Sequence, residues 1–373
     1  MTVQTCPYPP TRTRREAARS APWFPEPRFH GHDGLRLAYY EAGPEDGAPL
    51  MLLHGWPELA YSWAPLLPAL AGAGYRCILP ELRGFGASDA PIADSIGGTD
   101  HYAIAQMVGD VEALLDHLEL PTVTLVGHDW GGIIAWQAAR MLGDPAVSDW
   151  GRIARIVSIC TPMVRQAPVD PLEIFAKRFG ADHYFCVFNR EPERVAALFE
   201  SDPDALFRFL MRTTPADYAP ADRAPAASAS PTSSSRNSAS GTVKPESEFA
   251  HIPKRFAAFL DRGAPALKGE VLDANQRAIY ADGFRRSGFH GGIALYRNTS
   301  DNWRLTQGLS ERATQPSLLI SPERDLALPP WSGAHMADYI EDFTQTVIPD
   351  CGHWAMWDAP DAVADAMLKW LQP

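Results

Sequence analysis

Apolar residues fall along this chain in two alternating rhythms. Short runs of strand length, LRLAYYEAG (35–43), LMLLHG (50–55), YRCILPEL (75–82), VTLVGH (123–128) and IARIVSIC (153–160), are followed much later by PSLLISPE (316–323) and TQTVIPDCG (344–352). Between and after them lie amphipathic stretches with helical spacing, among them YAIAQMVGDVEALLDHLEL (102–120) and the final DAVADAMLKWLQP (361–373). Strands alternating with helices predict an α/β architecture with a mainly parallel sheet flanked by helices. The rhythm breaks off after Thr161 and resumes near Pro316, and the interval is helical in character: RVAALFE (194–200), DALFRFLMR (204–212), RFAAFLDR (255–262). It reads as a helical cap, or lid, inserted between two strands of the sheet. The expected division is a core of 28–162 and 303–373, a cap of 163–302, and an N-terminal extension of 1–27. The stretch APAASASPTSSSRNSASG (224–241) is too poor in large apolar residues to bury anything, so a flexible loop is expected over 216–247.

Composition narrows the partners. The 373 residues are 46% hydrophobic and 21% charged with a net charge of −12, which suits a globular protein and excludes the clustered positive charge that nucleic acid or an anionic membrane needs. A small-molecule ligand is the expectation, and monomer and homodimer both remain open. No apolar run is long enough to span a bilayer, and the start, MTVQTCPYPPTRTRREAARSAP, lacks the apolar centre of a secretory signal and reads as a flexible basic leader. Cys6, Cys77, Cys160, Cys186 and Cys351 show no paired spacing, which favours reduced thiols and a cytoplasmic protein. No zinc motif appears, and neither metal nor cofactor is expected.

The chemistry collects where strands end. Open α/β sheets bind ligands beyond the carboxyl ends of their strands. After LMLL comes His54-Gly55-Trp56-Pro57, after VTLVG comes His128-Asp129-Trp130, after SLLI comes a segment holding Glu323 and Asp325, and after TVIP comes Asp350 to His353. Within VGHDWGG (126–132) the spacing Gly-x-Asp-x-Gly is that of a strained strand-to-helix turn that lifts one side chain above a sheet, with Asp129 in the place where such turns usually carry serine. The order nucleophile, acid, histidine makes Asp129 and His353 the candidate nucleophile and base; Glu323 and Asp325 compete for the acid, and spacing alone does not separate them. In HGWP, Gly55 lets the backbone come close and Pro57 fixes the turn. The amides of Trp56 and Trp130 would then form a two-donor oxyanion hole.

An aspartate here changes the reaction. A serine attacking a saturated carbon would leave an ether, which a neighbouring base cannot hydrolyse. A carboxylate leaves an ester, which a His-activated water can open against an oxyanion hole. With an ordinary aspartate pKa of about 3.9, Asp129 would be ionised at neutral pH. The expected substrate is therefore attacked at saturated carbon, as an epoxide or an alkyl halide is.

The chain resembles the epoxide hydrolases of the α/β-hydrolase fold, those related to soluble epoxide hydrolase, from about Arg28 to the C-terminus. The motifs that carry the resemblance are HGWPE (54–58), LRGFGASDAP (82–91), VGHDWGG (126–132), YRNTSDNW (296–303), ERDLALPP (323–330) and CGHW (351–354). It implies a small hydrophobic epoxide and water as substrates, Asp325 as the acid, and Tyr296 as one of two lid tyrosines that hold the epoxide oxygen and donate a proton to it. In YFCVFNREPE (184–193) a one-residue insertion puts Tyr184 at the second tyrosine and Asn189 at the family's glutamine; without the insertion Phe185 takes the tyrosine's place. His54, Pro57, Phe185, Asn189, Trp303 and Trp354 complete the expected pocket. Glu81 departs from the Asp that often precedes LRG. A haloalkane dehalogenase with the same nucleophile is the alternative enzyme, and a ligand-binding protein that has lost its chemistry is the alternative of another class. Fluoroacetate dehalogenases resemble the chain less, since Trp130 and Ile133 stand where that family has carboxylate-gripping arginines.

Overall fold

The computed structural model describes residues 24–91, 100–142, 151–215 and 250–372. The expected leader, up to residue 23, and the Ser/Ala-rich cap loop lie outside the described residues. Eight strands form one sheet in the order β1-β2-β4-β3-β5-β6-β7-β8. They are β1 (Arg28–His32), β2 (Leu35–Ala42), β3 (Ala48–Leu53), β4 (Tyr75–Pro80), β5 (Val123–His128), β6 (Ile153–Ile159), β7 (Ser317–Pro322) and β8 (Phe343–Ile348). From β4 to β8 every pairing is parallel, and only the β1-β2-β4 edge is antiparallel. Residues of β3, β5 and β7 are buried almost continuously, as strands covered on both faces must be.

The strand β1 is not announced by the hydrophobic pattern. RFHGH buries only His30, and it is a strand because its backbone pairs with β2 from Arg28↔Tyr39 to His32↔Leu35. The other expected strands all form, and the helices Ile104–His117, Pro192–Glu200, Pro203–Leu210, Ile252–Asp261 and Pro360–Leu371 fall within or across the stretches with helical spacing.

Between β6 and β7 the described chain is helical, and these helices share their apolar interior with the sheet. Phe188, Phe199, Phe207, Phe256 and Phe284 of the cap belong to one continuous buried cluster with Leu53, Leu125 and Ile134 of the core. Polar ties hold the two parts in register. Trp354 Nε1 donates to the Leu210 carbonyl at 2.8 Å, Trp357 Nε1 donates to the Tyr280 hydroxyl at 2.9 Å, and that hydroxyl lies 2.6 Å from Ser62 Oγ. The helix His290–Arg297 comes so close to the Gly84 loop that a Cβ on Gly291 would stand 2.7 Å from the Gly84 Cα.

The same closeness governs the turn after β5. A Cβ on Gly131 would meet the Leu53 carbonyl oxygen at 2.0 Å, and one on Gly127 would meet the Gly131 oxygen at 2.3 Å. These two glycines let strand β5 enter the helix Trp130–Leu142 directly beside β3. Gly131→Ala is therefore expected to destabilise the protein by about 1–3 kcal/mol or more, the usual cost of overpacking. Denaturant unfolding would measure it, with Gly72→Ala as the control, because a Cβ there meets nothing within 4 Å.

Candidate active site

Asp129 stands at the tip of β5, where the chain passes in one residue from strand to helix. Its φ of 51° lies in the left-handed region, a conformation that a non-glycine residue holds only where its surroundings impose it. Its carbonyl receives the Gly132 and Ile133 amides at 3.0 and 3.2 Å and the Thr161 hydroxyl at 2.8 Å, which fixes the turn.

The two carboxylate oxygens of Asp129 meet different partners. Oδ1 accepts the Trp56 amide at 2.8 Å, and the Trp130 amide also bonds to the carboxylate. Oδ2 faces His353 Nε2 at 3.8 Å, an ion-pair distance beyond hydrogen-bond length. His353 Nδ1 in turn lies 2.8 Å from Asp325 Oδ2, while Asp325 Oδ1 accepts the Ala327 and Leu328 amides at 2.8 and 2.9 Å. Glu323, the competing acid, is turned to the β7–β8 loops, where its Oε2 accepts the Asp350 amide at 2.8 Å.

Burial and charge set the protonation states. Burial would raise the Asp325 carboxyl, but His353 and the two loop amides overcome it and hold the pKa at about 2. Burial would lower His353, and the Asp325 carboxylate, assisted by Asp129, raises it to about 9. Asp129 departs from the ordinary value expected of it. Burial raises its pKa against the pull of His353, His128 and the Trp56 and Trp130 amides. Its side chain keeps 17% of its surface, whereas Asp325 keeps none. Asp129 thus keeps an accessible edge that Asp325 lacks.

Above Asp129 the cap supplies two phenols. Tyr296, in the helix His290–Arg297, and Tyr184, first residue of the helix Tyr184–Arg190, lie ring against ring with centroids 5.4 Å apart, and the Trp130 indole packs edge-on against Tyr296 at 5.0 Å. Burial and the Asp129 carboxylate raise both phenols above their ordinary range, Tyr296 also through Tyr184. Both therefore keep their protons throughout the neutral range. Tyr184, whose ring meets that of Tyr296, occupies this position, and Phe185 also packs its ring against Tyr296 at 4.8 Å. Pro57 follows Trp56 through a cis peptide bond in the turn that presents the Trp56 amide.

Trp354 packs edge-on against His353 at 4.8 Å between ring centroids. Other expected pocket residues do different work. His54 is fully buried; its Nε2 accepts the Leu82 amide at 3.1 Å and its Nδ1 faces the Gly55 carbonyl at 2.9 Å, so it braces the turn behind Trp56 and does not face a ligand. Asn189 spends its amide on the Phe185 and Tyr296 carbonyls at 2.9 and 3.1 Å, tying the two tyrosine-bearing helices together. Trp303 donates to the Ala167 carbonyl at 2.8 Å and braces the entry to the cap. Glu81 accepts the Ala60 amide at 2.9 Å and the Tyr40 hydroxyl at 3.3 Å, an anchoring role that its longer side chain reaches.

Glu58 and His128 are absent from the expected set, yet both are completely buried behind Asp129. Glu58 Oε2 accepts the Gly55 amide at 2.9 Å and lies 2.7 Å from His128 Nδ1, and His128 Nε2 meets the His353 carbonyl at 2.9 Å. Since a carbonyl only accepts, Nε2 carries a hydrogen; a second proton must lie between Nδ1 and the carboxylate. The pair links the Trp56 turn to the backbone of His353. Its sequence signal is a charged residue on either flank of a motif inside apolar strand ends. His128, Cys160 and His353 bring potential metal-ligand atoms within 4.8 Å of one another, but His128 and Cys160 both donate to the His353 carbonyl and His353 is paired with Asp325. Their donors are spent internally.

A family model described as alpha/beta hydrolase fold matches residues 48–360. The chain belongs to the α/β-hydrolase fold family. Among its curated relatives, epoxide hydrolase A of Mycobacterium tuberculosis is 32% identical, covering 93% of this chain and 97% of that protein. The mouse bifunctional epoxide hydrolase 2 is 27% identical over 96% of this chain and 58% of its own length. The crystal structure of epoxide hydrolase A from Mycobacterium thermoresistibile superposes with a TM-score of 0.74 at 27% identity, covering 93% of this chain and 98% of that one. Among the described residues of this α/β-hydrolase, no helix is long and apolar enough to cross a membrane.

The His353–Asp325 pair predicts how stability varies with pH. Asp325 has a depressed folded pKa, so its contribution is present above the unfolded value of about 4 and is lost as pH falls toward about 2. His353 has a raised one, so its contribution is complete below about 6.5 and is lost as pH rises through about 9. The stability difference between the wild type and Asp325→Asn should be largest between those limits, near pH 5 to 6, and should shrink toward pH 10. Denaturant midpoints across that range would measure it, and a constant difference would refute the linkage.

Proposed function

We propose that this protein is an epoxide hydrolase that converts a small hydrophobic epoxide and water to a vicinal diol through an ester on Asp129. The observation that carries this reading is the seating of the Asp129 carboxylate, with one oxygen on the Trp56 amide and the other turned toward His353, beneath two protonated phenols. In the first step Oδ2 attacks a ring carbon and the carbon–oxygen bond of the epoxide breaks. The developing alkoxide is held by Tyr184 and Tyr296 and takes a proton from one of them. An alkoxide is more basic than a phenolate, so even raised phenols can protonate it.

In the second step His353 removes a proton from water, which attacks the carboxyl carbon of Asp129. The oxyanion forms on Oδ1, where the Trp56 amide already points, with the Trp130 amide as the second donor of the proposal, and Asp325 stabilises the imidazolium. The acyl–Oδ2 bond then breaks, Oδ2 leaves with the diol and takes up the proton held by His353, and the water oxygen completes the new carboxylate as its remaining proton returns to the tyrosine that gave one up. The same reading divides the chain into a core of 28–162 and 303–373 and a cap of 163–302 that carries the tyrosines. It also places the protein in the cytoplasm, a proposal supported by the free thiols of Cys77, Cys160, Cys186 and Cys351.

Halide release is the less supported chemistry. A leaving halide needs N–H donors; the Trp130 indole packs edge-on against Tyr296 at 5.0 Å, and the nitrogen edge of the Trp56 indole packs on Gly292. Tyr296→Phe should slow epoxide opening by about 10-fold or more while leaving any haloalkane turnover nearly untouched. Diol and halide release measured side by side on both substrate classes would decide it; equal losses would make Tyr296 a pocket wall.

The two-step mechanism is tested through His353→Gln. Esterification needs an ionised Asp129 and a phenol donor but no base, so the variant should accumulate enzyme heavier by one whole epoxide, with the adduct in the peptide around Asp129. A folded variant that binds the substrate of an active wild type and shows no adduct in a single turnover would exclude the covalent route.

A further inference from the structure

The helix Pro171–Phe179 buries none of its residues. Its start is anchored, since Asp170 accepts the Leu172 amide at 2.9 Å and the Ser300 hydroxyl at 3.0 Å, and its end runs into Gly180 with φ 90°. What holds the middle is aromatic. Phe175 stacks on Phe185 at 4.2 Å between centroids and 21° between planes, and on His183 at 5.1 Å and 12°. His183 and Phe185 are themselves 5.6 Å apart, far less than the two stacking distances together, so both lie against the same face of Phe175. One turn on, Phe179 stacks on His183 at 5.0 Å and 25°. Two rings of an exposed helix thus cover a floor of two rings beneath.

That floor adjoins the reacting groups. Phe185 meets Tyr296 edge-on at 4.8 Å and 89°, and Tyr184 at 4.9 Å. It is also uncharged at neutral pH, because burial and His251 lower the His183 imidazole to about 4, and its Nδ1 accepts the Phe185 amide at 3.4 Å. A flat apolar group on this floor is one ring away from the two phenols.

We propose that Phe175 occupies the seat of an aromatic substituent of the substrate, which takes its place on Phe185 and His183 when the helix Pro171–Phe179 lifts. The proposal rests on the epoxide hydrolase reading and names the substrate class as epoxides with an aryl group on or beside the oxirane. Exchange of one stacked ring for another conserves the contact, whereas a straight alkyl chain gains no stacking in return for lifting the helix. The helix can move as a unit between Asp170 and Gly180 because its apolar side chains, Leu172, Ile174, Phe175 and Phe179, are only half-buried.

The test compares kcat/KM for styrene oxide and for a straight-chain terminal epoxide of similar size. Phe185→Leu should lower the aryl-to-alkyl ratio by about 3- to 10-fold, the range that one aromatic contact is worth. Phe175→Ala, which vacates the seat, should raise kcat/KM for styrene oxide. An unchanged ratio in Phe185→Leu, or a lowered one in Phe175→Ala, overturns the proposal. If the wild type forms diol from neither epoxide, the hydrolase reading fails separately and the seat is judged by binding. Calorimetric titration with styrene glycol and a straight-chain diol should then show an aryl preference that Phe185→Leu removes, and the absence of any preference rejects it.

Discussion

A carboxylate held away from bulk water is the constraint on which this structure turns. Burying an unpaired carboxylate is so costly that the group ordinarily takes up a proton. For the proposed attack on carbon Asp129 must remain an anion, and burial pushes its pKa the wrong way. The surroundings answer with directed donors. Two amides come from the turns after β3 and β5, and an imidazole comes from the loop after β8. Behind them Glu58 and His128 form a pair that is neutral as a whole and stitches the turn of one donor to the backbone of another. Charges of alternating sign then run from Asp325 through His353 to Asp129.

Such a line of groups needs strand ends that do not move, and the sheet supplies them. The tips of β3, β5, β7 and β8 each contribute to the cluster, and their parallel pairing places those tips at one edge. The cap cannot be a loose lid over it. Its helices share a buried cluster with the sheet, and Gly291 and Gly292 bring the Tyr296 helix against Gly84 and Trp56. The phenols are therefore positioned by core packing, and Asn189 joins their two helices through backbone carbonyls. The helices Pro171–Phe179 and Thr299–Leu305 bury none of their residues, and the first of them carries the ring that covers Phe185.

Much of this was legible in the sequence because its signals are local. Strands buried on both faces read as apolar runs, and a Gly-x-Asp-x-Gly turn has a shape that few other residues allow. The strand β1 was hidden, since an edge strand made by backbone pairing needs no apolar alternation. Roles that depend on where a side chain points were harder to read. His54 and Trp303 sit in the expected motifs, yet each spends a ring nitrogen on a backbone carbonyl. Glu58 and His128 escaped notice for the converse reason: their partners are separated from them by as many as 225 residues, and a buried ion pair leaves no periodic trace.

The arrangement of charge also explains how one imidazole can be silent in the first proposed step and active in the second. In the resting protein His353 is held protonated by Asp325 first and by Asp129 in addition. A protonated imidazole beside Asp129 favours the carboxylate and cannot abstract a proton, which suits a step that needs an anion and no base. Ester formation removes the Asp129 charge, and with it one of the two carboxylates that raise His353. Burial, which lowers the pKa, is then opposed chiefly by Asp325. The charge of the nucleophile thus bears on the base: an ionised Asp129 adds to the pull of Asp325 on the His353 proton, and in the proposed ester that added pull is gone, which shifts His353 toward the neutral form that activates water.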